Sequence, residues 1–113
     1  MGCSQVDYKP YVAYKLHLVT LKQTDEFGKW LKGLDADIRA KVLVRMDRLS
    51  QGNPGDVAPI GEGVSEMRFH IPSGPRVYYK QTGDTAVLLY GNNKDSQKAD
   101  IPKAKQIAKE LEE

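Results

Sequence analysis

Residues 64–90 read VSEMRFHIPSGPRVYYKQTGDTAVLLY, three runs of alternating apolar and polar residues divided by two turns. Successive side chains of a strand point to opposite faces, so in the first run Met67, Phe69 and Ile71 face one way and Glu66, Arg68 and His70 the other. Pro72-Ser73-Gly74-Pro75 has turn composition, and RVYYKQ continues with Val77 and Tyr79 opposed to Arg76, Tyr78 and Lys80. Gly83-Asp84 then leads into TAVLLYG, a third strand. The stretch predicts an antiparallel meander whose first strand has one wet face. The glycines of Gly61-Glu62-Gly63-Val64 enter a strand rather than a helix, which suits a turn or bulge and not a phosphate cradle.

Upstream the spacing changes from two to between three and four. Thr24 is a good N-cap, Asp25 and Glu26 suit the positive end of a helix dipole, and Phe27, Trp30, Leu31 and Leu34 follow on one face. Phe27 and Trp30 at that spacing read as core. Asp35 can cap a second helix with the stripe Ile38, Val42, Met46 and Leu49, which Gly52-Asn53-Pro54-Gly55 ends. Before this hairpin, YKLHLVTLK from Tyr14 alternates, with Leu16, Leu18 and Thr20 opposed to Lys15, His17 and Val19, and reads as a first strand. Downstream of the meander, Asp100 suits a cap, Pro102 a first helical turn, and Ile101, Ala104, Ala108 and Leu111 a stripe for the sheet or for a partner helix. The result is an α+β chain in the order β-α-α-β-β-β with a C-terminal helix: a single domain over residues 14–113, preceded by an extension, residues 1–13, without clear period.

A length of 113 residues suits one domain with one modest core, and 40% hydrophobic with 28% charged residues is the composition of an ordinary globular protein. No apolar run approaches the roughly 18 to 20 residues that span a bilayer, and there is no secretory pattern, so a cytoplasmic protein without membrane contact is expected. The one cysteine, Cys3, allows neither an internal disulfide nor a multi-cysteine metal site. Seventeen Lys and Arg against fifteen Asp and Glu leave a net charge of +2, too near neutral to argue for nucleic acid by itself. Distribution says more: between Arg68 and Lys80 the charged residues are Arg68, Arg76 and Lys80, and Lys94, Lys98, Lys103, Lys105 and Lys109 follow.

Facing residues of an antiparallel pair share a face. A register with Arg68 opposite Tyr78 also sets His70 against Arg76 and Glu66 against Lys80. Arginine suits bidentate phosphate contact and tyrosine base stacking, so this face could hold an RNA backbone. Pattern alone leaves open that it is solvated surface, with pairs such as Glu66 and Lys80 contributing a few tenths of a kcal/mol. Phosphate loops of the GxxxxGK[ST] type, HExxH, GxSxG and clusters at metal-ligand spacing do not occur, so no metal or cofactor is implied.

The segments TDEFGKWLKGL, RLSQGNPGDVAPIGEGVSEMRFH, GPRVYY and LLYGNNKDSQKADIPKAKQIA, covering roughly residues 20 to 110, resemble the addiction-module killer (HigB-like) branch of the RelE/ParE superfamily. The resemblance implies a helical hairpin packed on a small antiparallel sheet with a C-terminal helix. It also implies a type II toxin that cleaves mRNA on the ribosome as an mRNA interferase, without a metal, and inhibits translation until a cognate antitoxin neutralises it. Operator DNA would be met only through the antitoxin complex. Carried over by position, Arg68, Arg76 and Lys94 fall where related ribonuclease toxins have basic catalytic residues. His70 and Tyr78 are candidates for proton transfer or base stacking, and Lys80 and Lys98 for further RNA contact. Two departures border this site: Asn92-Asn93 where relatives often read Gly-Asp, and Pro75 where an aromatic residue is common.

The same scaffold on the ParE side of the superfamily poisons DNA gyrase without nuclease chemistry, and fold does not separate the two. The basic trio favours the nuclease. A third alternative is a degenerate, non-toxic member that acts only as a binding module with its antitoxin.

Overall fold

A computed structural model describes residues 18–112. The extension 1–13 with Cys3, and residues 14–17 of the expected first strand with His17, lie outside the described residues. The elements run β1 (Thr20–Gln23), α1 (Asp25–Lys32), α2 (Ala36–Ser50), β2 (Val57–Gly61), β3 (Val64–Arg68), β4 (Pro75–Thr82), β5 (Thr85–Asn93), a 3₁₀ turn (Lys94–Ser96) and α3 (Gln97–Leu111). The five strands form one sheet in the order β1-β5-β4-β3-β2. The expected α+β architecture is borne out, with one strand more and one parallel pair, because β1 runs parallel to β5.

The hairpin α1–α2 covers one face. Thr24 caps α1 by accepting from the Phe27 amide at 3.1 Å, and its hydroxyl donates to the Leu89 carbonyl at 2.8 Å, which ties the helix start to the sheet. Asp35 stands at the N-cap of α2 but makes no side-chain bond there. Gly52, at φ 86°, ends α2 as its composition requires. Phe27, Val42 and Leu49 meet Met67, Val77, Tyr79 and Leu88 in the main core, with Trp30 and Met46 partly buried at its edge. Each fully buried side chain of this size contributes about 1.5–3 kcal/mol. In β1 the expected faces are reversed. Val19 is buried and Leu21 packs on the core, while Leu18 is 66% exposed, and the Val19 amide donates to the Ser50 carbonyl at 2.8 Å.

Helix α3 covers the other face, which is therefore not wet. Ala104 and Ala108 lie on Val64, Tyr78 and Leu89, with Ile101 and Ile107 alongside and Leu111 left exposed. A bulge makes this possible. Tyr78 pairs with Tyr90 and Tyr79 with Leu88, so Leu89 is the extra residue of β5 and turns toward α3, while Leu88 stays in the main core. The helix begins at Gln97, three residues before Asp100, which is buried inside the first turn rather than capping it. Pro102 consequently lies inside the helix and not at its first position.

The strand missed by periodicity is β2, an edge strand in which Pro59 is tolerated because one side of its backbone has no neighbour to bond. The Gly61-Glu62-Gly63 turn joins it to β3 with a register shift, as the glycine pattern suggested.

Candidate active site

Strand β3 ends at Arg68, three residues earlier than alternation implied, and a loop with positive φ at Ser73 and Gly74 leads to β4. The register is displaced accordingly: Arg68 faces Arg76, Glu66 faces Tyr78 and Val64 faces Lys80. The displacement is by an even number of residues, so Arg68, Arg76 and Tyr78 still share one face.

Two guanidinium groups opposite each other repel unless an anion lies between them. Glu66 is that anion, and it has no exposed surface. Its Oε1 accepts from Arg68 Nε at 3.1 Å, its Oε2 lies 3.9 Å from Arg76 Nε, and the same Oε2 accepts from Gln97 Nε2 of α3 at 2.5 Å. The side chain of Arg68 is 41% exposed and that of Arg76 16%. Arg76 Nη1 also donates to the carbonyls of Gly74 and Pro75, both at 3.2 Å. Lys94, exposed at the start of the 3₁₀ turn, lays its stem over Gly74, where an added Cβ would approach Lys94 Cδ to 2.8 Å. Arg76 and Lys94 thus lean on the same glycine from two sides.

A second polar cluster anchors the start of α3 beside this one. Ser96 Oγ donates to Asp100 Oδ2 at 2.5 Å and Asn92 Nδ2 to Asp100 Oδ1 at 3.4 Å, while the Asn93 side chain accepts from the Asp95 amide at 3.3 Å. Asn92 and Asn93 therefore hold the start of the segment that carries Gln97. Tyr78 is fully buried, its hydroxyl without a hydrogen-bond partner. Burial first, and the charges of Glu66 and Asp100 next, push its pKa well above the usual tyrosine range.

Residues 29–112 match the family described as Phage derived protein Gp49-like (DUF891). The chain belongs to this Gp49-like family. It is 39% identical over 95 residues to an uncharacterised protein of Haemophilus influenzae, a match covering 82% of this chain and 96% of that protein. Among solved structures, the chain is similar to a double arginine-to-alanine mutant of the E. coli toxin RelE in the free state. The TM-score is 0.62 at 10% identity, over 77% of this chain and 93% of that one. It is also similar to a chain of the toxin–antitoxin complex RelBE2 from Mycobacterium tuberculosis, with a TM-score of 0.57 at 20% identity, over 68% of this chain and 99% of that one. This Gp49-like protein has the RelE-type fold.

Of the residues singled out from sequence, Arg68, Arg76 and Lys94 come together at one end of the sheet. His70 does not join them. Lying beyond the end of β3, it is freed from strand alternation and bonds Asp56 at 2.5 Å beside α2, on the rim of a groove of about 450 Å³ shared with Lys41, Val44 and Arg48. That hydrogen bond is the main cause of the lowered pKa of Asp56. Lys80 pairs with Glu112 at the far end of α3, about 20 Å along the helix from Gln97 at 1.5 Å per residue. Lys98 is exposed in the first turn of α3. Lys103 and Lys105 are engaged by Glu26 at 3.1 Å and Glu62 at 3.7 Å, and Lys109 is exposed near the end of α3.

Sequence reasoning missed Glu66 and Gln97 as site residues. The signal available was the run Ser96-Gln97 followed by Asp100, which carries the family resemblance and which helix periodicity does not explain. Among the described residues no three His, Cys, Asp or Glu side chains converge as a metal site, and no helix is long and apolar enough to cross a membrane.

Proposed function

We propose that this Gp49-like protein is the toxin of a type II toxin–antitoxin pair, a ribosome-dependent mRNA endonuclease that stops translation when its antitoxin is absent. The observation that carries the reading is the pair Arg68 and Arg76, held face to face over a buried carboxylate and flanked by Lys94. Glu66 balances only one of the two opposed positive charges, and a phosphate on this face supplies the remaining counter-charge through charge-assisted bonds.

In the cleavage the ribose 2′-hydroxyl gives its proton to solvent as its oxygen attacks the adjacent phosphorus, and the 5′-oxygen leaves and takes up a proton, giving a cyclic phosphate and a 5′-hydroxyl. Negative charge grows on the non-bridging oxygens on the way. Arg76, the more enclosed of the two guanidinium groups, stabilises that charge, since an oriented cation in a partly dry site is worth more than one in water. Arg68 orients the phosphate, and Lys94 contacts it or assists the leaving oxygen. An antitoxin partner is supported by the likeness to a chain of RelBE2.

Primer extension on mRNA in a purified translation system tests the reading, with wild type and the Arg68→Ala/Arg76→Ala variant, each with and without ribosomes. Discrete cuts that need ribosomes and fall at least about 100-fold in the folded variant are expected. Folded wild-type protein that leaves mRNA intact would overturn the nuclease, and growth arrest with DNA damage would then point to the gyrase-poison alternative.

A further inference from the structure

The carboxylate of Glu66 sits where a phosphate-binding site has least use for one. It is sealed from water between two arginines, and burying a charge is costly unless its geometry serves a purpose. Building on the reading that Arg68 and Arg76 hold the scissile phosphate, we propose that Glu66 is the positioning residue of this site. It is a buried anion that sets the orientation of both guanidinium groups and is itself oriented by Gln97. It engages Arg68 through Nε, one of that group's five donors, which leaves the others for a ligand. Its Oε2 lies 3.9 Å from Nε of Arg76, an ion-pair distance too long for a hydrogen bond, so that buried Nε has no hydrogen-bond partner, while Nη1 of Arg76 is tied to the Gly74 and Pro75 carbonyls. Gln97, in the first turn of α3, fixes Oε2 from the opposite side. Glu66 thus holds Arg68 by a hydrogen bond and Arg76 by charge alone, with the two backbone carbonyls completing the hold on Arg76, before any RNA arrives.

This role makes a prediction that simple charge does not. Glu66→Gln removes a negative charge from a cationic site, so mRNA should bind as well as before or better, yet the rate should fall because the arginines lose their fixed planes. We expect kcat to drop about tenfold or more with KM unchanged or lowered. The swap Glu66→Gln/Gln97→Glu separates positioning from structural support. It keeps a carboxylate–amide bond between β3 and α3 but moves the anion away from the arginines, so it should restore thermal stability and not kcat. A second readout needs no cleavage: in ¹⁵N spectra of the full chain, the Nε–H signal of Arg68, which donates to Glu66, should move toward the free-arginine position in Glu66→Gln. Undiminished cutting by Arg76→Ala would remove the active-site reading while leaving Glu66 to be judged by that signal. Glu66→Gln with wild-type kcat, a swap that restores kcat, or an unmoved Arg68 Nε–H signal would each overturn the positioning role.

Discussion

Under α1 and α2 the sheet is closed by Phe27, Val42, Leu49, Met67, Val77 and Leu88, each at most 1% exposed. Under α3 it is apolar only between Val64 and Ala108 and turns polar toward Gln97, where Glu66, Asp100, Asn92 and two arginines collect. The same β3 and β4 supply both faces, alternate residues going to each. One face therefore carries most of the stability and the other can hold an arrangement of charges that no stability argument favours. The proposed site lies where the apolar packing stops.

The largest stability effect that would break this division is on the first face. Phe27→Ala removes a ring with no exposed surface that packs against Trp30 with centroids 5.6 Å apart. It should lower unfolding free energy by about 3–5 kcal/mol in denaturant titration. The protein that remains folded should cut mRNA at the wild-type rate per folded molecule. A lower specific rate at full occupancy of the native state would mean that the two faces are coupled.

A smaller effect is expected at the rim of the first face. Gly91 of β5 faces Val77, and a Cβ added there would lie 2.3 Å from Cε3 of Trp30. No side chain fits without moving the indole, so Gly91→Ala should cost about 1–3 kcal/mol by overpacking. Thermal unfolding checks it: a Tm equal to wild type would show that Trp30 moves aside freely and that the rim of the first face is looser than its packing implies.

How much of this could be read in the sequence follows the same division. Phe27, Trp30, Val42, Leu49, Met67 and Val77 were legible because burial on one side of an element writes itself as periodicity. Glu66 was not. A polar residue on the alternate face of a strand reads as solvated, and only a helix arriving some thirty residues later in the chain, with Gln97 at its start, buries it. His70 was misplaced because alternation was continued past Arg68, where the strand has already ended. The pairing of Glu66 with Lys80 failed because register depends on the length of the loop between β3 and β4, and a turn tetrapeptide marks that a turn exists without counting its residues. The edge strand β2 was hidden by Pro59 and Gly61, which break a central strand and not an edge one.

Tyr78 carries the smallest expected effect and the sharpest test of how the second face works. Its ring belongs to the α3 core, whereas its hydroxyl is buried without a partner near Glu66. A buried hydroxyl that lacks a partner contributes no net stability, so Tyr78→Phe should leave the unfolding free energy within about 1 kcal/mol of wild type or raise it. Ribosome-dependent cutting should remain within about twofold, because a side chain with no exposed surface is out of reach of RNA for the proton transfer expected of it from sequence. The pH response fixes the sign. Burial raises the pKa of Tyr78 above its unfolded value of about 10. Its contribution to stability is therefore fully present below that pH and is lost as pH rises through the folded value, when the unfolded state ionises and the folded state resists. Wild type should lose stability as pH climbs above about 10, and Tyr78→Phe should lose less of it. Tyr79, whose pKa burial also raises, keeps the remainder of the alkaline slope in the variant. If Tyr78→Phe instead abolished cutting at neutral pH while remaining folded, the hydroxyl would be part of the chemistry, and the boundary between packing and site would run through Tyr78 rather than between it and Arg76.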